Sequence, residues 1–379
     1  MNFFLSTDIS IEPGITKNIT KYVPDINSGN ILCIYDVNLT KNKYFQDIKS
    51  TLSSGFNNIK FFENTFVEEP TYNYLENVVD RFRSEKINLI IAIGGGSTID
   101  IGKGVAICLN NTVEFPLYYS HGSRQHITPI SLKGFPANIN DPIPLVAIPS
   151  IVGSGAEVSY NAVFIDENEG LKLGINSRKN FPRKTIIDPL LTISAPRNAI
   201  LSSAMDTLVH CVDSFGSKNN TTFSRMFSIE GFKRTFNVLL NEDIKSVESH
   251  EQLAMGSICG IIALMNSGDG PTNGFAYHVG VEKKIPHGLA GAIFLLEVMK
   301  YNYRHGYIEY SYLNPAHRQM SSEEKCIDLF DKMDTIYKIH NIPKLSAYGY
   351  TKGNIKRFAK GSAEALKGSF SGNPVLFDK

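Results

Sequence analysis

Cysteine is scarce in this chain of 379 residues. The five present, Cys33, Cys108, Cys211, Cys259 and Cys326, are odd in number, widely spaced and form no CxxC pair. That excludes a disulfide framework and a thiolate zinc site, and it fits a reducing compartment, so a cytoplasmic location is expected. An excess of charge of either sign is also missing. Lys plus Arg is 38 and Asp plus Glu is 37, for a formal net charge of +1. No nucleic acid and no membrane is expected as a partner on that balance. No apolar run approaches the length of about 20 residues that spans a bilayer. The opening "MNFFLSTDIS" lacks the basic and apolar regions of a secretory signal, so none is expected. Internal repeats, low-complexity tracts and long charge blocks are absent.

What is present is the balance of a globular protein, with 42% hydrophobic and 20% charged residues. The length suggests two domains. The first half alternates strands and helices. "NILCIYDVNL" and "NIKFFENTF" read as strands, "TYNYLENVVDRFRSEK" as an amphipathic helix, and "INLIIAIGGGS" as an unbroken apolar strand ending in glycines. "TIDIGKGVAICL" reads as a helix and "IPLVAIPS" as another buried strand. Unbroken apolar strands are typical of parallel sheets covered on both faces, so this half is read as an α/β domain with a parallel sheet. Residues 110–143, rich in Asn, Pro, Gly and His, read as a long excursion. After "IIDPLLT" the pattern turns helical almost to the end. The expected domains are therefore 1–188, nucleotide-binding α/β, and 189–379, helical.

Three segments carry chemistry. In "IAIGGGSTID", Gly94, Gly95 and Gly96 let the backbone turn tightly after a buried strand, and the helix that follows offers free N–H groups to a pyrophosphate. Ser97 adds a hydroxyl; Asp100 either reaches the far end of a cofactor or orients the loop. A tight turn with no ligand is the plain alternative, since this is not the G-x-G-x-x-G fingerprint. "IPSIVGSGAEVS" is a second glycine-rich strand end, and two of these in one sheet suggest a crevice at its carboxyl edge. Asp36 ends another strand. A carboxylate there accepts from a ribose 2′-OH and repels a 2′-phosphate, favouring NAD(H) over NADP(H), although a strand-end Asp also serves as a turn cap. In "AMDTLVHC", Asp206 and His210 stand four apart on one helix face, either as two ligands of a divalent ion or as a hydrogen-bonded pair. His287, in "KKIPHGLAGA", is a third candidate ligand at the entry to an apolar helix.

Taken together, these segments resemble the iron-containing (group III) alcohol dehydrogenases of the dehydroquinate synthase-like superfamily. "GGGSTID" is similar to GGGSxxD, "IPSIVGSGAEVS" to IPTTxGTGSEVT, "IIDPLLT" to DPxLT, "MDTLVHCVDSF" to xDALxHAxExY, and "IPHGLAGAIFLLEVMKYN" to PHGxANAxLLPxVMxxN. "GNPV" resembles the closing NPR segment, so the likeness runs over nearly the whole chain. The resemblance implies a dinucleotide-binding α/β domain, an all-α C-terminal domain and a metal, Fe²⁺ or Zn²⁺, in the cleft. Carried over by position, the metal ligands fall on Asp206, His210 and His287. The dinucleotide contacts fall on Asp36, Gly94, Gly95, Gly96, Ser97, Asp100, Ser150, Ile151, Ser154 and Lys172. The family's fourth ligand is a His fourteen residues before the PHG histidine. Asn273 stands there, a weak neutral donor, which lowers the expected metal affinity. A further family His, near the nicotinamide, falls on Tyr277; with a one-residue gap it falls on His278. Both are candidate catalytic residues, Tyr277 as a proton donor.

The expected function is reduction of a small aldehyde or ketone with NAD(P)H. Two basic segments make an anionic substrate plausible: His121, Arg124, His126 and Lys133 in one, Arg178, Lys179, Arg183 and Lys184 in the other. A solvated surface is the commoner explanation of such charges. "FAYHVGVEKKIPHGLA" resembles members that reduce phosphonoacetaldehyde; a sugar-linked ketone is equally open. Competing readings are a dehydroquinate synthase-type lyase that uses NAD transiently, a metal-free reductase and a non-catalytic nucleotide-binding homologue. A homodimer is the expected assembly.

Overall fold

A computed structural model describes residues 3–23, 29–66, 69–111, 132–137, 139–314, 319–365 and 367–377. The chain divides into two compact units. One holds Leu5–Ile151 and Ala156–Ala195; the other holds Met1–Phe4, Val152–Gly155 and Pro196–Lys379.

The first unit is built on β1 (Asp8–Ile11), β2 (Asn30–Asp36), α1 (Lys43–Gly55), β3 (Ile59–Asn64), α2 (Tyr72–Phe82), β4 (Ile87–Gly94), α3 (Gly96–Leu109) and β5 (Leu145–Pro149). It continues through β6 (Asn161–Asp166), β7 (Leu171–Asn176), β8 (Lys184–Ile187) and α4 (Pro189–Thr192). Six strands pair in parallel in the order β1-β8-β5-β4-β2-β3, and β6 and β7 form a separate antiparallel hairpin. The apolar runs explain the sheet. Alternate residues of β2, β4 and β5 enter two different cores: Leu32, Ile34, Ile90, Ala92, Leu145 and Ala147 pack with α2 and α3. Ile31, Cys33, Leu89, Ile91, Ile93, Val146 and Ile148 pack with α1. With both faces covered, the central positions of these strands are buried on either side, and the sequence there shows no alternation.

β1 and the β6–β7 hairpin are additions to the expected elements. β1 is a four-residue edge strand, and β6 and β7 are only partly buried along their length, so neither carries an unbroken apolar run. α4 belongs to the sheet unit because Asp188, its N-cap, accepts from Gly14 N (2.9 Å), Thr16 N (3.1 Å) and Tyr44 OH (2.8 Å).

The second unit is helical: α5 (Arg197–Gly216), α6 (Thr222–Leu240), α7 (Val247–Met265), α8 (Pro271–Lys283), α9 (His287–Arg304), α10 (Ser322–Ile339), α11 (Ile355–Ala365) and α12 (Lys367–Ser371). Among the described residues no helix is long and apolar enough to cross a membrane.

A buried ion pair ties α3 to the hairpin. Lys103 Nζ donates to Ser159 Oγ (3.1 Å) and Asn161 O (2.8 Å) and lies 3.7 Å from Asp100 Oδ1. Asp100 Oδ2 accepts from Val163 N (3.0 Å). Burial pushes the Asp100 carboxyl up to about 6, against the pull of Lys103. Burial likewise lowers Lys103 to about 8, against Asp100 and Glu157. A folded acid with a raised pKa keeps its proton where the unfolded chain has lost it. Its contribution is fully present below about pH 4 and is lost as the pH rises through 6. Asp100→Asn keeps an acceptor for Val163. Its stability relative to the wild type is expected to rise between pH 4 and 7, by up to roughly 3 kcal/mol, read from urea unfolding midpoints. Parallel curves for the two proteins would show that the pair is not the cause.

Candidate active site

The sheet order reverses between β2 and β4. From β2 the chain steps outward to β3, then returns past β2 to β4 and β5. Ligands of open α/β sheets bind at the carboxyl ends of strands at such a switch point. Asp36 and Gly94 end the two strands concerned: a Cβ added at Gly94 would lie 3.0 Å from Asp36 Cβ and 2.8 Å from Thr98 Oγ1. Ser150 N donates to Gly94 O (2.9 Å), bringing the end of β5 to the same edge. α3 starts at Gly96 with Gly95 as N-cap and no side-chain cap, and a Cβ at Gly95 would meet nothing within 4 Å. Uncapped N–H groups beside open space fit a pyrophosphate.

Asp36 is also a turn cap, its Oδ1 accepting from Asn38 N (2.8 Å) and Asn38 Nδ2 (2.9 Å). Asp100 is engaged by Val163 N of β6 and by Lys103 of its own helix. Lys172 Nζ is held 2.9 Å from Glu69 Oε2. Ile151 belongs to the sheet unit and Ser154 to the helical unit.

The second cluster lies wholly within the helical unit. α5 is buried on nearly every side, and Asp206 and His210 project from it one turn apart. His210 Nε2 stands 3.6 Å from Asp206 Oδ1, with both side chains almost fully buried. His210 Nδ1 is buried and meets no hydrogen-bond partner among the described residues, so the polar need of the ring falls on Nε2. His287 is the first residue of α9, and its Nε2 lies 3.9 Å from the same Asp206 oxygen.

Gly288 brings the two helices together: a Cβ there would stand 1.9 Å from Ser202 O and 2.7 Å from Asp206 Cβ. Leu289 N donates to Ser202 Oγ (3.2 Å), fastening the same turn. Asn273, in the first turn of α8, places Oδ1 2.8 Å from His287 Nε2. Its own N–H donates to Asp213 Oδ2 (2.9 Å). Burial pushes the Asp213 carboxyl up to about 7, against the hydrogen bonds from Asn273 and Thr272.

One carboxylate and two imidazoles around a buried point fit a divalent ion in kind. Ligand atoms about 2.1 Å from a tetrahedral ion stand about 3.4 Å apart, so the 3.6 and 3.9 Å separations are a few tenths too wide. Among the described residues no group of three or more His, Cys, Asp or Glu side chains is in ready metal-binding geometry. Small side-chain shifts close that gap, and the donor set, not the spacing, carries the fit.

Tyr277 lies one turn beyond Asn273, its ring stacked on His287 at 4.7 Å between centroids. His278 is turned elsewhere. Its Nδ1 lies 2.9 Å from Ser362 Oγ and its ring packs on Phe358 at 4.8 Å. Burial holds it below the usual imidazole range, against the nearby Glu282. The register without a gap thus brings Tyr277, not His278, beside His287.

The basic segments give less than the sequence suggests. His121, Arg124 and His126 lie outside the described residues. Lys133 pairs with Asp166 (3.0 Å) and Glu169 (2.8 Å), Lys179 with Asp141 (2.8 Å), and Lys184 with Asp8 (2.7 Å). Lys184 and Arg183 stand at the amino end of β8, the edge of the parallel sheet opposite Gly94. An anion clamp at the strand ends cannot draw on them. Asp213 and Gly288 are the positioning residues that sequence reasoning missed. Asp213 is three residues past His210, a spacing that shares a helix face. Gly288 follows His287 directly, but the partner that requires it is 86 residues away.

Comparison with known proteins places the chain in a family. The family description "Iron-containing alcohol dehydrogenase" matches residues 6–189, and "Fe-containing alcohol dehydrogenase family, C-terminal" matches residues 200–378. The chain is 23% identical over 308 residues to the NAD-dependent methanol dehydrogenase of Bacillus methanolicus, covering 79% of this chain and 76% of that one. It is 28% identical over 282 residues to an alcohol dehydrogenase of Thermococcus barophilus, covering 73% and 70%. The crystal structure of a 1,3-propanediol oxidoreductase superposes with a TM-score of 0.87 at 21% identity, over 100% of this chain and 96% of that one. The class is that of the NAD(P)-dependent alcohol dehydrogenases. Within it, the chain belongs to the iron-containing alcohol dehydrogenase family.

The α5–α9 contact can be tested with two glycines of α9. Gly288→Ala drives a methyl into backbone and is expected to cost about 3 kcal/mol or more. At Gly291 an added Cβ stands closest to Val209 Cγ2, at 2.8 Å, a side chain and not backbone. Gly291→Ala should therefore cost about 1 kcal/mol. Thermal unfolding of the two variants checks the order; equal melting would remove the claim that Gly288 sets the contact.

Proposed function

We propose that the protein is a metal-dependent reductase of small aldehydes or ketones that uses NADH in preference to NADPH. The observation that carries this reading is the meeting of His210 and His287 on one buried oxygen of Asp206. When bound, the dinucleotide supplies the hydride and the divalent ion, Fe²⁺ or Zn²⁺, the positive charge that polarises a carbonyl oxygen. The protein's own groups do the rest. The α3 N-terminus and Gly95 receive the pyrophosphate, and Asp36 selects a free ribose 2′-OH. Asp206, His210 and His287 hold the ion. Tyr277, fixed by its stack on His287, gives a proton to the alkoxide oxygen as it forms.

The ion pairs of Lys133, Lys179 and Lys184 favour a small substrate without a phosphate or phosphonate over the anionic alternatives. Five buried free cysteines support work in a reducing compartment such as the cytoplasm. A homodimer is the assembly we infer. One observation favours a second reading, a metal-free reductase with Tyr277 as its acid: His287 Nε2 is already engaged by Asn273.

Asp206→Ala separates the two. Under the metal reading it should lose the bound ion, measured by elemental analysis, and at least about a hundredfold in kcat with NADH and a small aldehyde. Unchanged metal content and turnover would remove the metal from the mechanism. Asp36→Ala is expected to narrow the NADH-over-NADPH ratio of kcat/KM by about tenfold, as the repulsion of a 2′-phosphate is withdrawn. An unchanged ratio would leave Asp36 as a turn cap only.

A further inference from the structure

We propose that Asn273 is not a ligand of the metal but its competitor for His287. The inference rests on the metal-dependent reading above. Its basis is one contact: Asn273 Oδ1 stands 2.8 Å from His287 Nε2, the same ring nitrogen that faces Asp206 Oδ1 at 3.9 Å. A distance of 2.8 Å is that of a hydrogen bond. Two atoms bound to one tetrahedral ion would stand about 3.4 Å apart.

Whichever way the amide is turned, the bond consumes the nitrogen. As donor to the amide oxygen, Nε2 carries a hydrogen and has no lone pair to give. As acceptor from the amide NH₂, it has already given its lone pair. The donor form is the one drawn by the Oδ1 contact. For a cation to bind, the Nε2 proton must leave while Nδ1 gains one, a change of tautomer with no net gain or loss of protons. The Nε2–H···Oδ1 bond breaks and an Nε2–metal bond forms.

Asn273 cannot simply step aside. It is 1% exposed, its N–H is tied to Asp213, and Pro271 stiffens the start of its helix. Its carbonyl is then left buried without that donor, a cost which subtracts from metal affinity. Tyr277, stacked on the same imidazole, limits how far the ring can turn away. The result is a site that takes an ion weakly and exchanges it readily.

The sign of one substitution decides the matter. Protein stripped with a chelator would be titrated with Zn²⁺ against a chromophoric chelator, and with Co²⁺ by visible absorption, with no turnover assay involved. Asn273→Ala and the near-isosteric Asn273→Leu both remove the competing bond. Each is expected to bind Zn²⁺ about tenfold more tightly than the wild type. If Asn273 is a ligand, both bind more weakly, and the proposal is overturned; equal affinity overturns it too. Asn273→Leu keeps the volume filled should the Ala cavity unfold the protein, and circular dichroism before titration confirms the fold. Asp206→Ala serves as the control for the site. Zn²⁺ binding by the wild type that Asp206→Ala does not weaken would instead refute the metal reading itself, and the competition with it.

Discussion

The chemistry of the helical unit depends on a single close approach. α9 runs so near α5 at Gly288 that a methyl group would overlap the backbone oxygen of Ser202. Any side chain larger than hydrogen would push α9 outward and carry His287 away from Asp206. Two donors fixed on one helix at positions i and i+4 need no tertiary structure beyond that helix. The third must come from a different helix, and its placement is only as good as the contact between them. The Ser202–Leu289 hydrogen bond fixes the turn that follows His287. Asp213 performs the same service for α8, taking the free N–H of Asn273 at the start of that helix. The first turns of α8 and α9 are thus pinned to the flank of α5, and Asn273 and His287 lie in those turns.

The sheet unit follows a different logic. Its strands are held by apolar burial on both faces, which sets their register firmly and leaves only the strand ends free for polar work. Gly94 and Asp36 face each other at the point where the strand order reverses. Gly95 borders open space at that edge, and α3 begins there with no side-chain cap on its first N–H groups. Other polar residues of this unit serve the scaffold: Asp100 and Lys103 hold α3 against the hairpin, and Asp188 ties the start of α4 to Gly14, Thr16 and Tyr44.

These differences decide what could be read from the sequence. β2, β4 and β5 were legible because double-sided burial writes an unbroken apolar run. Asp206 and His210 were legible because helical period puts positions four apart on one face. The ordered motifs extended that reading to His287 and to Asn273. β1 and the β6–β7 hairpin were not legible: β1 has four residues, and the alternately buried positions of β6, Ala162, Phe164 and Asp166, mix apolar side chains with a carboxylate. The basic residues Lys133, Lys179 and Lys184 looked like an anion clamp because their carboxylate partners lie 33, 38 and 176 positions away along the chain. Pairings of that kind leave no mark on local composition. The bond between Asn273 and His287 belongs to the same class: each residue stood out separately, but their contact depends on how α8 and α9 pack.

α5 shows what such a site costs the fold. Asp206, His210 and Asp213 share one helix with Ser202, Thr207 and Ser214, and all six are buried. Well-packed hydrophobic residues would hold the same helices together at least as firmly, because buried charge must recover a large desolvation penalty. Asp213 bears that penalty openly, with its carboxyl pushed up to about 7 even while it accepts hydrogen bonds from the start of α8. A polar stripe concentrated on one face of one buried helix, with a strand-end crevice elsewhere in the same chain, is hard to account for by stability alone. It is the pattern expected where stability has been given up for function.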